Sequence, residues 1–316
     1  MEALLVSIIA IGQVFAVIGV GWLCAGKCAQ FIGNPDKEFW GVLAQFVYVV
    51  CMPALIIHLF NDFAWETSQM SFMYTVVVVT AVAIIVTLLA TKFSAIDSNE
   101  CSTISAIAFH PNSVFLGFPL IIAVFGEQAL PYAVLFAIIE FPITTIASIY
   151  ILRRSNTQKD GMSAHRVVMS KMMKDPVVWG FLVGVSVSLS NFSFSEVVTQ
   201  PMNMLGMIAS PLALLVIGAR VFHSGAVIRS SRSLVMVNAL KLVIIPVIAW
   251  GVVQLMGMSG ERAAVIVMLI GTPVAISTIV MVEQHGGEVA VTAQSIASST
   301  LMSAITLTIT ASLLLT

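Results

Sequence analysis

"HPNSVFLGFP", residues 110–119, interrupts a stretch that is otherwise apolar enough to span a membrane as one helix. It places His110, Pro111, Asn112, Ser113, Gly117 and Pro119 where hydrocarbon favours leucine. A proline removes a backbone donor and its ring clashes with the preceding turn. In a bilayer the freed backbone groups cannot face lipid; they must be buried in protein or line a cavity. The stretch therefore predicts a broken span whose polar atoms have work to do inside the protein.

The rest of the chain supplies the membrane. Of 316 residues 59% are hydrophobic and 9% are charged, against roughly 25% charged in an ordinary soluble domain. So little charge cannot cover a water-facing surface, and the expected class is an all-α integral membrane protein. The formal net charge of −1 suggests no nucleic-acid partner. A helix needs about 20 apolar residues to cross roughly 30 Å of hydrocarbon. That ruler places ten spans near 4–25, 38–60, 71–92, 103–125, 130–152, 176–192, 200–220, 234–256, 262–283 and 289–315. The first begins "MEALLVSIIA", without the basic segment of a signal peptide, and is expected to be retained.

Charge placement fits that count. Lys27, Lys37, Lys92, Arg153, Arg154, Lys159, Arg166, Lys171, Lys174, Arg220, Arg229 and Arg232 all fall in or beside odd-numbered loops. Only Lys241 and Arg262 of the 14 basic residues do not. Loops rich in Lys and Arg stay cytoplasmic, which predicts both termini on the outer side. The polar segment 153–175 is the expected cytoplasmic linker, and it divides the chain into halves 1–152 and 176–316 with five spans each. Five is odd, so the halves enter from opposite faces, the arrangement of inverted-repeat transporters. Pro53 and Pro211, each expected to interrupt the second span of its half, lie 158 residues apart. The same offset carries 112–117 onto 270–275, inside "IGTPVAIS".

Two broken spans crossing at mid-membrane would aim the N-termini of two half-helices at one place. Each such end carries about half a positive charge and unsatisfied N–H donors, and an anion, most simply a carboxylate, is the natural guest. The candidate substrate-binding residues are Pro111, Asn112, Ser113 and Gly117 with Gly271, Thr272, Pro273, Ser277 and Thr278. Opposing C-terminal ends and bare carbonyls are expected to suit a cation. Glu140, an acidic residue deep in a predicted span, and His110 are the candidates for coupling to H⁺ or Na⁺. A charge at mid-bilayer costs several kcal/mol unless it faces protein or water.

Other polar residues have plainer expectations. Lys241 is one turn into span 8 and is expected to snorkel back to the headgroups. Arg220, closing span 7, is expected to anchor that end at the cytoplasmic face, and His58 to pack or sit at the interface. Cys24, Cys28, Cys51 and Cys101 lack the spacing of a metal site. No cofactor is implied. Neither a zinc-protease H-E-x-x-H nor a hydrolase G-x-S-x-G is present, so an enzyme is not expected. A channel would show a continuous polar stripe along several helices. Here the polar residues gather at two breaks, which favours a carrier over a channel or a membrane-embedded sensor.

At these residues the chain resembles the auxin efflux carrier family, which includes plant auxin carriers and bacterial malonate and malate permeases. The resemblance rests on "HPNSVFLGFPLIIAVFG" in span 4 and "GTPVAISTIVMVEQHGGEVAVTAQSIASSTLMSAITLTI" through spans 9 and 10. "VVCMPALIIHLF" and "DPVVWGFLVGV" fit as well. It implies a crossed-helix fold with broken helices 4 and 9, a scaffold domain of spans 1, 2, 6 and 7, and a transport domain of spans 3–5 and 8–10. It also implies elevator-like movement of small organic anions, with Pro111 and Asn112 at the crossing facing Pro273. A homodimer through the scaffold is allowed. The long central loop of the plant proteins is missing here, which points to the bacterial type in an inner membrane and to a dicarboxylate such as malonate or malate.

Overall fold

The computed structural model describes residues 2–61, 63–65, 67–94, 96–155, 166, 169–170, 172–190, 192–224 and 231–315. Lys159, Lys171, Arg229 and most of the predicted linker 153–175 lie outside the described residues. The described chain is built of helices. Among the described residues, seven of the predicted spans are helices long and apolar enough to cross a membrane. These are α1 (Glu2–Ala25), the pair α2 (Lys37–Phe46) and α3 (Met52–Asn61), α4 (Thr67–Lys92), α7 (Leu130–Ser155), α9 (Glu196–His223), the pair α10 (Arg232–Ala239) and α11 (Ile245–Leu255), and α14 (Val289–Leu314).

The other three predicted spans differ from single full-length rods. Predicted span 4 consists of α5 (Ser98–Ile107), an extended link, a π-helical turn at Ser113–Gly117 and α6 (Phe118–Phe125). Span 9 consists of α12 (Gly260–Ile270), an extended link and α13 (Thr278–His285). Span 6 is α8 (Pro176–Leu189), only 14 residues, or about 21 Å at 1.5 Å per residue. It starts sharply because Asp175 caps it: Oδ1 accepts from the Val177 and Val178 amides at 2.8 and 3.3 Å, with Pro176 in the first turn.

Prolines do not break every helix that holds one. Pro211 is expected to interrupt its span, but α9 runs through both Pro201 and Pro211 without a break. Pro53, Pro119 and Pro246 behave differently. Each follows a π-helical turn, at Val47–Cys51, Ser113–Gly117 and Leu240–Ile244. The carbonyl that each proline ring would strike belongs to the residue four before it: Val49, Phe115 and Leu242. In all three cases that residue is the middle of the π turn. Widening the helix there gives the ring room, one recognised way to absorb a proline or a functional distortion.

Helix contacts place the broken spans inside the protein. The α1–α9 crossing brings backbones close: a Cβ on Gly21 would lie 2.1 Å from the Leu215 carbonyl oxygen, and one on Gly218 1.9 Å from that of Ile18. Small residues permit this packing, since hydrocarbon offers no hydrophobic drive between helices. α3 packs on α8 and α9, while α4 packs on α7 and α11. α5 and α12 both lie against α7, and α14 packs on α10 and α1. Phe60, Phe72, Phe109, Phe118 and Phe136 fill the interior as fully buried side chains.

Candidate functional site

The two extended links meet. The Asn112 amide donates to the Pro273 carbonyl at 2.9 Å, and the Ala275 amide donates to the His110 carbonyl at 3.1 Å. This is a one-rung antiparallel bridge between Pro111 and Val274. Its two bonds come from the flanking residues, so Pro111 sits at the position where no donor is needed. On the other side, the outward Val274 amide donates to Ser299 Oγ of α14 at 3.1 Å. The backbone groups at the crossing itself are thus paired inside the protein, as a bilayer demands.

The bridge holds the two links edge to edge, with Asn112 bonded to Pro273. A cavity of about 450 Å³ lies to one side of the crossing. Its walls include His110, Pro111, Asn112 and Ser113 of the first link, Ser277 and Thr278 of the second, and Gln45, Tyr48, Asp175 and Arg220 from helices packed beyond them. Gly117, Gly271, Thr272 and Pro273 are off the cavity. The two glycines serve close packing: a Cβ on Gly117 would lie 2.6 Å from Leu269 Cδ2, and one on Gly271 3.1 Å from Pro246 Cγ. Thr272 is fully buried and its hydroxyl donates to the Leu269 carbonyl at 2.7 Å.

Asn112 stands out on the cavity wall. It is 3% exposed, and its side-chain Nδ2 has no hydrogen-bond partner among the described residues. Its own carbonyl accepts from the Leu116 and Gly117 amides at 3.3 and 2.9 Å, closing the π turn that opens the second half of the span. The side chain therefore stands at a helix N-terminus, next to that end's partial positive charge. Arg220 is the one Lys or Arg among the described lining residues, and it is half-buried. Asp175 also lines the cavity, but its carboxylate is engaged: Oδ1 caps α8 and Oδ2 accepts from the Tyr48 hydroxyl at 2.9 Å. Tyr48 stacks on Phe115 with ring centroids 6.0 Å apart.

His110 reaches away from the bridge. Its Nε2 is 2.9 Å from Ser148 Oγ, and that hydroxyl donates to the Ala106 carbonyl at 2.6 Å. The imidazole tautomer sets which of His110 Nε2 and Ser148 Oγ donates. Glu140 lies off the cavity, 1% exposed, with Oε1 accepting from Thr144 Oγ1 at 2.7 Å. Across the helix interface it neighbours Ser113 and Lys241.

Lys241 overturns its expectation. It does not reach the headgroups: it is fully buried, and its Nζ donates to the Ile270 carbonyl at 2.8 Å. The π turn Leu240–Ile244 holds it in the interior, beside the C-terminal end of α12. That carbonyl is therefore not bare, nor are those of His110 and Pro273. Among the described residues no three His, Cys, Asp or Glu side chains converge as metal ligands.

A family model described as membrane transport protein matches residues 6–311. The chain belongs to this family, that of the auxin efflux carriers. No curated protein matches the chain. Its membership and the seven long apolar helices among the described residues make this auxin efflux carrier family member a multi-pass membrane transporter. Sequence reading misses Arg220, Tyr48, Gln45 and Asp175 as cavity residues of this transporter. Arg220 closing an apolar span reads like any cytoplasmic anchor, and nothing in the order of residues says which way its head turns.

Proposed function

We propose that this transporter is a secondary carrier of small organic anions, a carboxylate and most simply a dicarboxylate such as malonate or malate. In this reading ten spans form two inverted repeats, and spans 3–5 and 8–10 move past a scaffold of spans 1, 2, 6 and 7 in elevator fashion. The observation that carries the reading is the unpartnered Asn112 Nδ2, buried at a helix N-terminus on a cavity that also holds Arg220. A buried donor without an acceptor costs about 1–3 kcal/mol. A guest with acceptor oxygens returns that free energy as binding. The arginine at the other wall supplies a second positive group, which a two-headed acid can use and a single carboxylate cannot.

The cavity's position supports movement between two parts. Gln45, Tyr48, Asp175 and Arg220 belong to the proposed scaffold, and His110–Ser113, Ser277 and Thr278 to the proposed moving part. Lys37, Lys174 and Arg220 assign the nearby helix ends to the cytoplasm, so the cavity faces inward, from the inner membrane of a bacterial cell. Glu140, with His110, is the coupling group for H⁺ or Na⁺, and Glu140→Gln is expected to change the pH or Na⁺ dependence of uptake.

The test is thermal unfolding of purified protein with mono- and dicarboxylates. A ligand at 100 times its Kd adds about 2.7 kcal/mol of stability. Dicarboxylates should raise the transition, and Asn112→Ala should remove the rise. In proteoliposomes the same acids preloaded inside should accelerate labelled uptake, as a carrier requires and a pore does not. Absence of any carboxylate response, in stability and in counterflow, rejects the reading.

A further inference from the structure

Phe115 belongs to the broken span 4, but its side chain is seated among other helices. Ala25 of α1, Trp40 and Ala44 of α2, and Val216 and Ala219 of α9 form a buried hydrophobic cluster. Among the described residues that pack against it, Phe115 alone comes from outside these three helices. Three of the five buried members are alanine, so the cluster brings little side-chain volume of its own and has room for a ring. Phe115 also lines the cavity, so its ring separates cavity from cluster. A second contact on the cavity wall holds that ring. Tyr48, in the π turn of span 2, lies nearly parallel to it, with 8° between the planes and 6.0 Å between centroids, within the range of an offset stack. The Tyr48 hydroxyl donates to Asp175 Oδ2 at 2.9 Å, and the same carboxylate caps α8 through Oδ1. Tyr48 is thus fixed at its tip by a charge-assisted bond, while its face rests on Phe115.

We infer that Phe115 is the side chain by which the broken span 4 docks on α1, α2 and α9, and that Tyr48, held by Asp175, clamps it there. Tyr48 is a positioning residue, acting on the site through Phe115. The docked ring lies in the turn that the Asn112 carbonyl closes by accepting from the Leu116 and Gly117 amides. Ala219 of the cluster is the chain neighbour of Arg220 on the opposite wall. Seating Phe115 against α9 therefore sets where Asn112 stands relative to Arg220. This rests on the proposed function, in which α1, α2, α8 and α9 belong to the scaffold and span 4 to the moving part. The seated ring is then a contact that must part when the site moves, and its release opens the cluster to the cavity.

The test needs no substrate, so its failure is distinct from failure of the carboxylate reading. Ala219→Cys puts a thiol into the cluster, at a fully buried position off the cavity. Its labelling by N-ethylmaleimide in the purified full chain is followed by peptide mass spectrometry, which separates it from the native cysteines. The rate reads how often the cluster opens. Tyr48→Phe keeps the ring and deletes the hydroxyl. With the hydrogen bond to the carboxylate lost, labelling should quicken by about tenfold. Phe115→Ala should quicken it further, because the docking ring itself is gone. A control thiol, Ala133→Cys, sits in α7 at a buried position outside the cluster and should label at one rate in every background. Should Ala219→Cys fail to fold, Ala25→Cys reports from the α1 side of the same cluster. Equal labelling of the cluster thiol with and without Tyr48→Phe overturns the inference. Phe115→Ala labelling more slowly than Tyr48→Phe does so too, as does an equal rise at Ala133→Cys, the mark of general loosening.

Discussion

The two broken spans share one bridge, yet they dispose of their polar groups in opposite ways. In the span-9 break four buried polar groups find partners within the protein. The Ile270 carbonyl accepts from Lys241 and the Thr272 hydroxyl donates to the Leu269 carbonyl. The Val274 amide donates to Ser299, and the Thr278 hydroxyl to the Ala275 carbonyl. In the span-4 break the Asn112 amide and carbonyl are paired but its side-chain Nδ2 is not. One break pairs these groups internally; the other presents a donor to a cavity. A pair of helices that look alike in sequence thus differ in this: both line the cavity, but only the span-4 break leaves a buried side-chain donor unpartnered there.

The sharpest way to break this comparison is to reverse the character of Asn112. Asn112→Asp puts a carboxylate where an anion's carboxylate is expected, and juxtaposed like charges cost several kcal/mol. Dicarboxylate affinity should fall by about 100-fold or more, read by titration calorimetry on protein that still elutes as a single species. Asn112→Ala is milder. It removes one donor, for a loss of about tenfold in affinity, and the stability of the empty protein should hold or rise because a buried orphan disappears. The opposite split is expected at the other break. Ser299→Ala strands the fully buried Val274 amide, costing about 1–3 kcal/mol of stability with carboxylate affinity unchanged. Affinity loss at Ser299, or stability loss at Asn112, would mean the two breaks are not specialised as argued.

Much of the crossing is legible in the order of residues. Prolines with Asn, Ser and Gly inside an apolar run announce a break, because the backbone they free has nowhere to go in hydrocarbon. The pairing of 110–112 with 273–275 is not legible there, since a bridge between links depends on how four half-helices pack. For the same reason Thr272 and Pro273 belong to the expected site yet lie off the cavity. Lys241 defeats a sound rule. Lysines near a helix end usually reach the interface, but the π turn before Pro246 and the carbonyl end of α12 lie far apart in the chain. Only tertiary structure brings them to one lysine. Pro211 teaches the converse: a proline within a span is no break where the helix can bend around it.

Thr272 gives the smallest expected effect and the most discriminating one. Its side chain is buried at the crossing, one residue from Pro273, where a site between the two breaks would need it. Thr272→Val keeps the shape and deletes the hydroxyl. The Leu269 carbonyl that loses this donor keeps another, the Thr272 amide at 3.1 Å, so neither group is stranded. The stability change should therefore be under about 1 kcal/mol. Off the cavity, the hydroxyl meets no guest, and carboxylate affinity should stay within about twofold of the wild type. A tenfold loss in a normally folded Thr272→Val protein would place the guest between the links rather than beside them. In that case the bridge would have to part on binding, and the span-9 break would read the substrate after all.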